Sequence, residues 1–263
     1  MIGFGTAQLH GTRGVEAMVS ALDAGYRLLD TAFNYENEGA VGEAVRRSSV
    51  PREDIVVSTK LPGRHHAHDE AIDAVYESLF RTGLDHLDRV LIHWPNPSKD
   101  LYVEAWGALV ELQQQGVVRS IGVSNFLPEH LDRLVRETGV TPVVNQIELH
   151  PYFPQVEQRA ADVRLAVRTE SWSPLGRAST VLDEPVIREI AHAHSRTVPQ
   201  VILRWHVQLG SVPLPKATSP QRQRENLAIF DFALGDDEMA RITALGRPDG
   251  RNNDQDPAVY EES

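Results

Sequence analysis

Cysteine is absent from all 263 residues, which excludes disulfides, thiolate metal sites and a cysteine nucleophile and fits a reducing compartment. No apolar stretch approaches the roughly 20 residues needed to cross a bilayer. The opening MIGFGTAQLH lacks the charged-then-apolar layout of a signal peptide, so a cytoplasmic location is expected. Bases are outnumbered: 26 Lys and Arg against 37 Asp and Glu leave a net charge of −11. A surface of that sign repels phosphate backbones and anionic lipid, so neither nucleic acid nor membrane is expected as a partner. What remains is a monomeric chain acting on a small molecule. No Pro/Gly/Ser-rich linker divides the chain, which reads as one domain over 1–263 with an irregular tail over 246–263.

What is present is an alternation. Short apolar, β-branched runs cover 3–6, 26–30, 55–60, 89–93, 118–124, 143–147, 166–172 and 211–215. Most lack the in/out alternation of a half-exposed strand, as strands covered on both faces do. Between them lie segments of helical period: 39–47, 69–80, 102–114, 128–137, 184–194 and 199–209. In the second of these Ile72, Val75, Tyr76 and Leu79 share a stripe; in the third Tyr102, Trp106, Leu109 and Leu112 do. Eight strands at a spacing close to the ~30 residues of a βα unit predict an α/β fold, a (β/α)8 TIM barrel. A doubly wound open sheet is the rival. It would carry a G-x-G-x-x-G turn after its first strand, and none is there.

Barrel enzymes carry their chemistry at the C-terminal ends of the strands. Here those ends deliver Asp30, Lys60 and His93, with Tyr35 on the loop after Asp30. A lone Lys or His at a strand end is usually solvated or structural. An Asp, a Lys and a His each closing an apolar run can converge on one point. That set suits carbonyl reduction, because a hydride arriving at carbon leaves charge on oxygen that a positioned acid must neutralise. A tyrosine has a reference pKa near 10, too high for a ready donor, and a neighbouring Lys60 ammonium is expected to lower that of Tyr35. Asp30 would hold Lys60 charged and aimed. His93 would hydrogen-bond the carbonyl oxygen as a neutral donor, and Trp94 would wall the pocket.

The stretch from Leu28 to Glu38, with Gly42-Glu43-Ala44, closely resembles the signature of the aldo-keto reductases. Val57 to Leu61, Leu91 to Pro95, Gly122 to Phe126, Asn145 to Glu148 and Pro215-Lys216 with Arg222, Glu225 and Asn226 match in order. The resemblance covers nearly the whole chain and looks greatest to the bacterial members that include the 2,5-diketo-D-gluconate reductases. It implies an eight-stranded barrel that uses NADPH without a Rossmann domain, with Asp30, Tyr35, Lys60 and His93 as catalytic tetrad. It further implies that Ser124, Asn125 and Gln146 hydrogen-bond the nicotinamide carboxamide and that Trp172, where relatives usually carry Tyr, stacks on the ring. Ser173, Leu175, Gly176 and Arg177 would follow as the loop beside the pyrophosphate. The far end reads independently as well. Ser219-Pro220 is an N-cap and first turn, which puts Arg222 and Asn226, four apart, on one face near the positive end of a helix. With Lys216 this makes a basic pocket in an acidic protein, suited to the 2′-phosphate of NADPH.

Several features depart from that pattern or distract from it. The chain starts at the first strand, so the N-terminal hairpin usual in the family is expected to be lacking. Ala7 stands where many relatives carry Trp, widening the pocket. Ala217 replaces a hydroxyl often found after the phosphate-binding lysine, which softens the expected preference for NADPH. His65, His66 and His68 invite a metal, but no spacing completes a site, so a solvent-exposed loop and no metal are expected. The tail, Trp94 and the 96–99 loop are candidates for the substrate pocket. Two other readings compete: a lyase or isomerase using Lys60 as a Schiff-base amine, and an NADPH-binding regulatory barrel with little turnover.

Overall fold

The apolar runs pair in chain order. The computed structural model describes residues 1–178 and 180–263. Its strands are β1 (Phe4–Gly5), β2 (Leu28–Asp30), β3 (Val56–Leu61), β4 (Leu87–Ile92), β5 (Val118–Ser124), β6 (Val144–Glu148), β7 (Arg168–Trp172) and β8 (Val212–Pro213). Each is parallel to the next, from β1 through β8. The circle closes through Gly3 N to Pro213 O at 3.0 Å and Gly5 N to Pro215 O at 3.1 Å. Glycine is needed at that seam: a Cβ on Gly5 would sit 2.9 Å from the carbonyl oxygen of Leu214. The expected (β/α)8 barrel is therefore the fold, and the absent G-x-G-x-x-G turn is explained by its architecture.

The helices are α1 (Gly11–Ala24), α2 (Glu38–Arg47), α3 (His68–Thr82), α4 (Tyr102–Gln114), α5 (Pro128–Thr138), α6 (Val156–Arg164), α7 (Pro185–Ala193), α8 (Val198–Gln208), α9 (Pro220–Leu227) and α10 (Asp236–Thr243). No helix among the described residues is long and apolar enough to cross a membrane. The expected stripes face the sheet. Val75 on α3 and Trp106, Leu109 and Leu112 on α4 are buried against Leu87, Val90, Ile121 and Val123. Four helices, α1, α6, α9 and α10, lie outside the segments expected from periodicity, and of these the sequence signals only α9, by its Ser219 cap. In α6 the buried face is polar: Asp162 accepts from Asn145, Gln158 and Thr169, so hydrophobic period carries no trace of it.

Between α2 and α3 the backbones approach closely. A Cβ built on Gly42 would lie 1.8 Å from the carbonyl oxygen of Thr82. A Gly42→Ala variant must push two helices apart and is expected to lose about 1–3 kcal/mol or more. A urea midpoint unchanged from wild type would contradict this packing.

Inside the barrel, beside an aliphatic cluster of Leu28, Val212 and Leu214, the strands carry a chain of buried polar groups. Arg89 pairs with Glu170. Gln146 donates to Glu170 at 3.2 Å and to Asp30 at 2.7 Å, and Asp30 pairs with Lys60. This buried chain runs up the interior to the strand ends, where a fully connected network can hold charges in place.

Candidate active site

Tyr35 reaches the barrel mouth on a short 3-10 turn, Phe33–Tyr35, that follows β2. Its amide donates to Ala32 O, and Glu36 turns the chain through the left-handed region at φ 52°. Asn37 locks the turn by donating to the carbonyls of Thr6 and Leu9 while accepting from the Thr31 hydroxyl. One side chain thus ties the β1 and β2 loops together beneath the phenol.

Lys60 is 1% exposed. Its ammonium donates to both oxygens of the Asp30 carboxylate, at 2.9 and 2.8 Å, and to Thr31 O, at 2.7 Å. Burial opposes the charge, but Asp30 and then Tyr35 outweigh it and hold the amine above the ordinary lysine value. No hydrogen bond joins Lys60 to Tyr35 among the described residues. The ammonium lies 5.1 Å from the centre of the phenol ring and acts through space. The expected lowering of the Tyr35 pKa requires correction. Desolvation is the largest influence and raises it; Lys60 is the strongest influence in the other direction; Asp30 and Glu262 add to the rise. A half-buried phenol surrounded by protein keeps its proton.

The His93 ring meets the Tyr35 ring edge-on, with centres 6.1 Å apart, so Asp30, Tyr35, Lys60 and His93 form one cluster at the C-terminal mouth. Beside it, the hydrogen bonds of the next strands follow a single rule. Ser124 donates its hydroxyl proton to Gln146 O. Asn125 uses its two amide protons on His93 O and Ser124 Oγ. Gln146 uses its two on Asp30 and Glu170. The three side chains have no proton left and offer acceptors alone, a set that fits an amide NH2 and no second carbonyl. Trp172 donates its indole N–H to Asn125 Oδ1 at 2.8 Å, which fixes the plane of the ring. Asn125, Ser173 and Arg177 have positive φ, at 62°, 48° and 52°, and such non-glycine backbone gathers where ligands are held; Gly176, at 61°, takes the same region without strain. The Arg177 guanidinium lies 5.6 Å from the indole centre. Leu175 is half-buried beside this loop.

On the far side Lys216 is exposed and held by Gln8 Oε1 at 2.7 Å. Ser219 caps α9 by accepting from Arg222 N, as its sequence predicts. Arg222 is exposed, whereas Asn226 is buried and hydrogen-bonds the Tyr26 hydroxyl. The two do not present one shared solvent face, because Tyr26 claims the amide. Glu225 is held by Gln221 at 2.7 Å.

The tail, a pocket candidate from the sequence, also supplies a residue the sequence did not announce, Glu262. Residues 246–263 form no helix or strand, yet they cross the mouth. Tyr260 packs on Trp94 with ring centres 4.5 Å apart. The Asn252 amide donates to the buried Glu148 at 2.6 Å. Glu262 is 7% exposed and brings its carboxylate to 2.7 Å from His93 Nδ1. Glu262 has no local pattern to betray it, but Arg89 and Glu170 do: each is a charge in the middle of a strand covered on both sides. Ala7 is half-buried at the end of the β1 loop. His66 corrects the expectation of an exposed histidine loop. It is 1% exposed, and burial holds its pKa down to about 4, because the turn after β3 folds beneath the tail.

A family model described as the aldo/keto reductase family matches residues 1–247. The chain is 54% identical over 260 residues to 2,5-diketo-D-gluconic acid reductase B of Corynebacterium sp. (strain SHS752001), covering 99% of this chain and 93% of that one. It is 42% identical to a methylglyoxal reductase of Escherichia coli (strain K12), covering 98% and 93%. Among solved structures, a mutant of Gox0644 in complex with NADPH superposes with a TM-score of 0.93 at 43% identity, covering 99% of this chain and 94% of that one.

Proposed function

This chain belongs to the aldo/keto reductase family, and from that premise we propose that it is an NADPH-dependent reductase of small polar aldehydes and ketones. The observation that carries the reading is the buried Asp30–Lys60 pair with its ammonium 5.1 Å from the Tyr35 ring, at the open end of the barrel. Two similar proteins named above are reductases of a diketo sugar acid and of methylglyoxal. Both names point to substrates with a second oxygen function near the reacting carbonyl. Small dicarbonyls are the proposed class.

The residues fit the cofactor. The acceptor-only set of Ser124, Asn125 and Gln146 suits the carboxamide NH2, the anchored Trp172 offers a flat face, and Lys216 and Arg222 are exposed cations at the start of α9. Bound there, NADPH supplies the hydride that reduces the carbonyl carbon. Tyr35 gives its hydroxyl proton to the carbonyl oxygen as charge gathers on it. Burial keeps Tyr35 protonated in the free protein, and the Lys60 ammonium opposes that rise and eases the transfer. Lys60, positive and fixed by Asp30, stabilises the tyrosinate left behind. Asn125 holds the His93 backbone, and Trp94, under Tyr260, excludes water from the pocket. The Schiff-base alternative requires a neutral amine, and a lysine held charged by a buried carboxylate is the opposite of that.

Reading the basic end as a 2′-phosphate site has a direct test. Lys216→Ala combined with Arg222→Ala is expected to weaken NADPH binding by at least roughly 10- to 100-fold, the value of a single lost charge-assisted bond being the lower bound for two, while NADH binding changes little. Equal losses for both nucleotides, measured by fluorescence titration, would remove the phosphate from this end.

A further inference from the structure

The loop after β7 is held from beneath by a histidine that takes no part in the chemistry. His206, on α8, is 0% exposed. Its Nε2 lies 3.1 Å from Pro174 O and its Nδ1 lies 3.1 Å from Ser171 Oγ. Ser171, on β7, shares a hydroxyl–hydroxyl hydrogen bond with Ser211, which leads into β8. The main chain closes the same circuit: Ser211 N donates to His206 O at 3.0 Å, and Leu214 N donates to Ser171 O at 3.0 Å. One buried ring thus joins a helix, a strand, the approach to the next strand and the loop.

Its partners decide which nitrogen carries the proton. A carbonyl oxygen accepts and never donates, so Nε2 donates to Pro174 O. A neutral ring then has a lone pair at Nδ1, which accepts from the Ser171 hydroxyl, and Ser171 in turn accepts from Ser211. Burial is the main influence on this ring and holds its pKa down to about 3; the Pro174 bond opposes that fall, and His150 and Arg159 add to it. The ring is neutral at pH 7.

Pro174 is the root of the loop. Proline has no N–H, so its carbonyl is the one polar group by which the residue can be tied down. Around it, Ser173 takes φ 48°, Gly176 N donates to Ser173 O at 2.8 Å, and Arg177 Nε donates to Ser173 Oγ at 3.2 Å. A serine at positive φ persists where its surroundings over-determine it. Pro174 is buried and Arg177 is exposed, which gives the loop an anchored base and a free cationic tip. We propose that His206 is a positioning residue for the nucleotide: by donating to Pro174 O it presets the Ser173–Arg177 loop for the pyrophosphate, the part that NADPH and NADH share. The inference rests on the reductase reading, with this loop beside the pyrophosphate. A loop set only part of the time lowers affinity by that fraction.

Two variants separate this role from one in the core. In His206→Gln the side-chain amide reaches the place of Nε2 and can still donate to Pro174 O. In His206→Asn the shorter amide ends at the place of Nδ1, so it still meets Ser171 but leaves Pro174 O unpaired. By fluorescence titration, His206→Asn is expected to weaken NADPH and NADH by the same factor, roughly three- to tenfold, and His206→Gln to stay within about twofold of wild type. The nucleotide-free protein gives a second readout. The Gly176 amide, which closes the loop on Ser173 O, is expected to exchange with deuterium roughly three- to tenfold faster in His206→Asn and at the wild-type rate in His206→Gln. Equal losses in both variants, affinities that follow their melting temperatures instead of the Pro174 bond, or a loss confined to NADPH would each overturn the proposal. If neither variant folds, 15N NMR of the wild-type histidines decides it, with His206 assigned through its contact with the Trp205 ring. A proton on Nε2 is expected, and a proton on Nδ1 removes the bond that anchors the loop. Failure of the reductase reading looks different: wild type would reduce no carbonyl while His206→Asn still weakened both nucleotides.

Discussion

Replacing Tyr35 by Phe is expected to leave NADPH binding within about twofold and to lower kcat by roughly 10²- to 10⁴-fold, the range for loss of a positioned general acid. The separation of the two effects follows from the geometry. The Tyr35 hydroxyl makes no hydrogen bond to Lys60, whose ammonium is turned to Asp30 and Thr31. The ring is held by the turn at Phe33–Tyr35 and by its edge contact with His93, and both survive loss of one oxygen. The variant therefore removes a proton source without disturbing a packed element. Stopped-flow nucleotide oxidation against steady-state titration separates binding from turnover, and an undiminished kcat would remove Tyr35 from the chemistry.

Replacing Asp30 by Leu is expected to cost the fold about 3–5 kcal/mol, because it strands the buried Lys60 ammonium and leaves a Gln146 proton without its acceptor. The second half of the prediction is more diagnostic. Asp30→Leu with Lys60→Met removes both charges, and a buried pair replaced by apolar groups of similar size is often neutral in stability. The double variant should recover most of the lost denaturation midpoint yet remain inactive, since nothing then stabilises a tyrosinate. Recovery of activity along with stability would show that the pair serves folding alone. If the double variant is no more stable than Asp30→Leu, the ammonium was never the source of the cost.

Much of this was legible without coordinates, and the boundary has a physical shape. Val118–Ser124 and Tyr102–Gln114 fall where the apolar patterns place them, because those segments bury one kind of surface against another. Asp30, Lys60 and His93 were visible as polar groups closing apolar runs. The rest escaped for specific reasons. Helix α6 buries Asp162 rather than an aliphatic stripe. The direction of the Tyr35 pKa depends on the balance between desolvation and a lysine at 5.1 Å, and residue types alone do not set that balance. The sharing of protons among Ser124, Asn125 and Gln146, which turns three ambivalent side chains into acceptors, is a property of their mutual distances. Glu262 is the clearest case. It lies next to the end of a segment with no periodicity, and it reaches His93 because Asn34, Gly63 and Asn96, from separate loops, agree on one place for it.

The central claim is that the cluster at the barrel mouth completes a hydride transfer to a carbonyl. NADPH carrying deuterium at the transferable position of its C4, incubated with the protein and a small dicarbonyl, tests it most directly when the product is examined by mass spectrometry and NMR. The account predicts one deuterium on the carbinol carbon for each nucleotide oxidised in wild type, and none above background in Tyr35→Phe. Tight NADPH binding with no label on any carbonyl of a broad panel would contradict it and would leave a nucleotide-binding barrel without turnover.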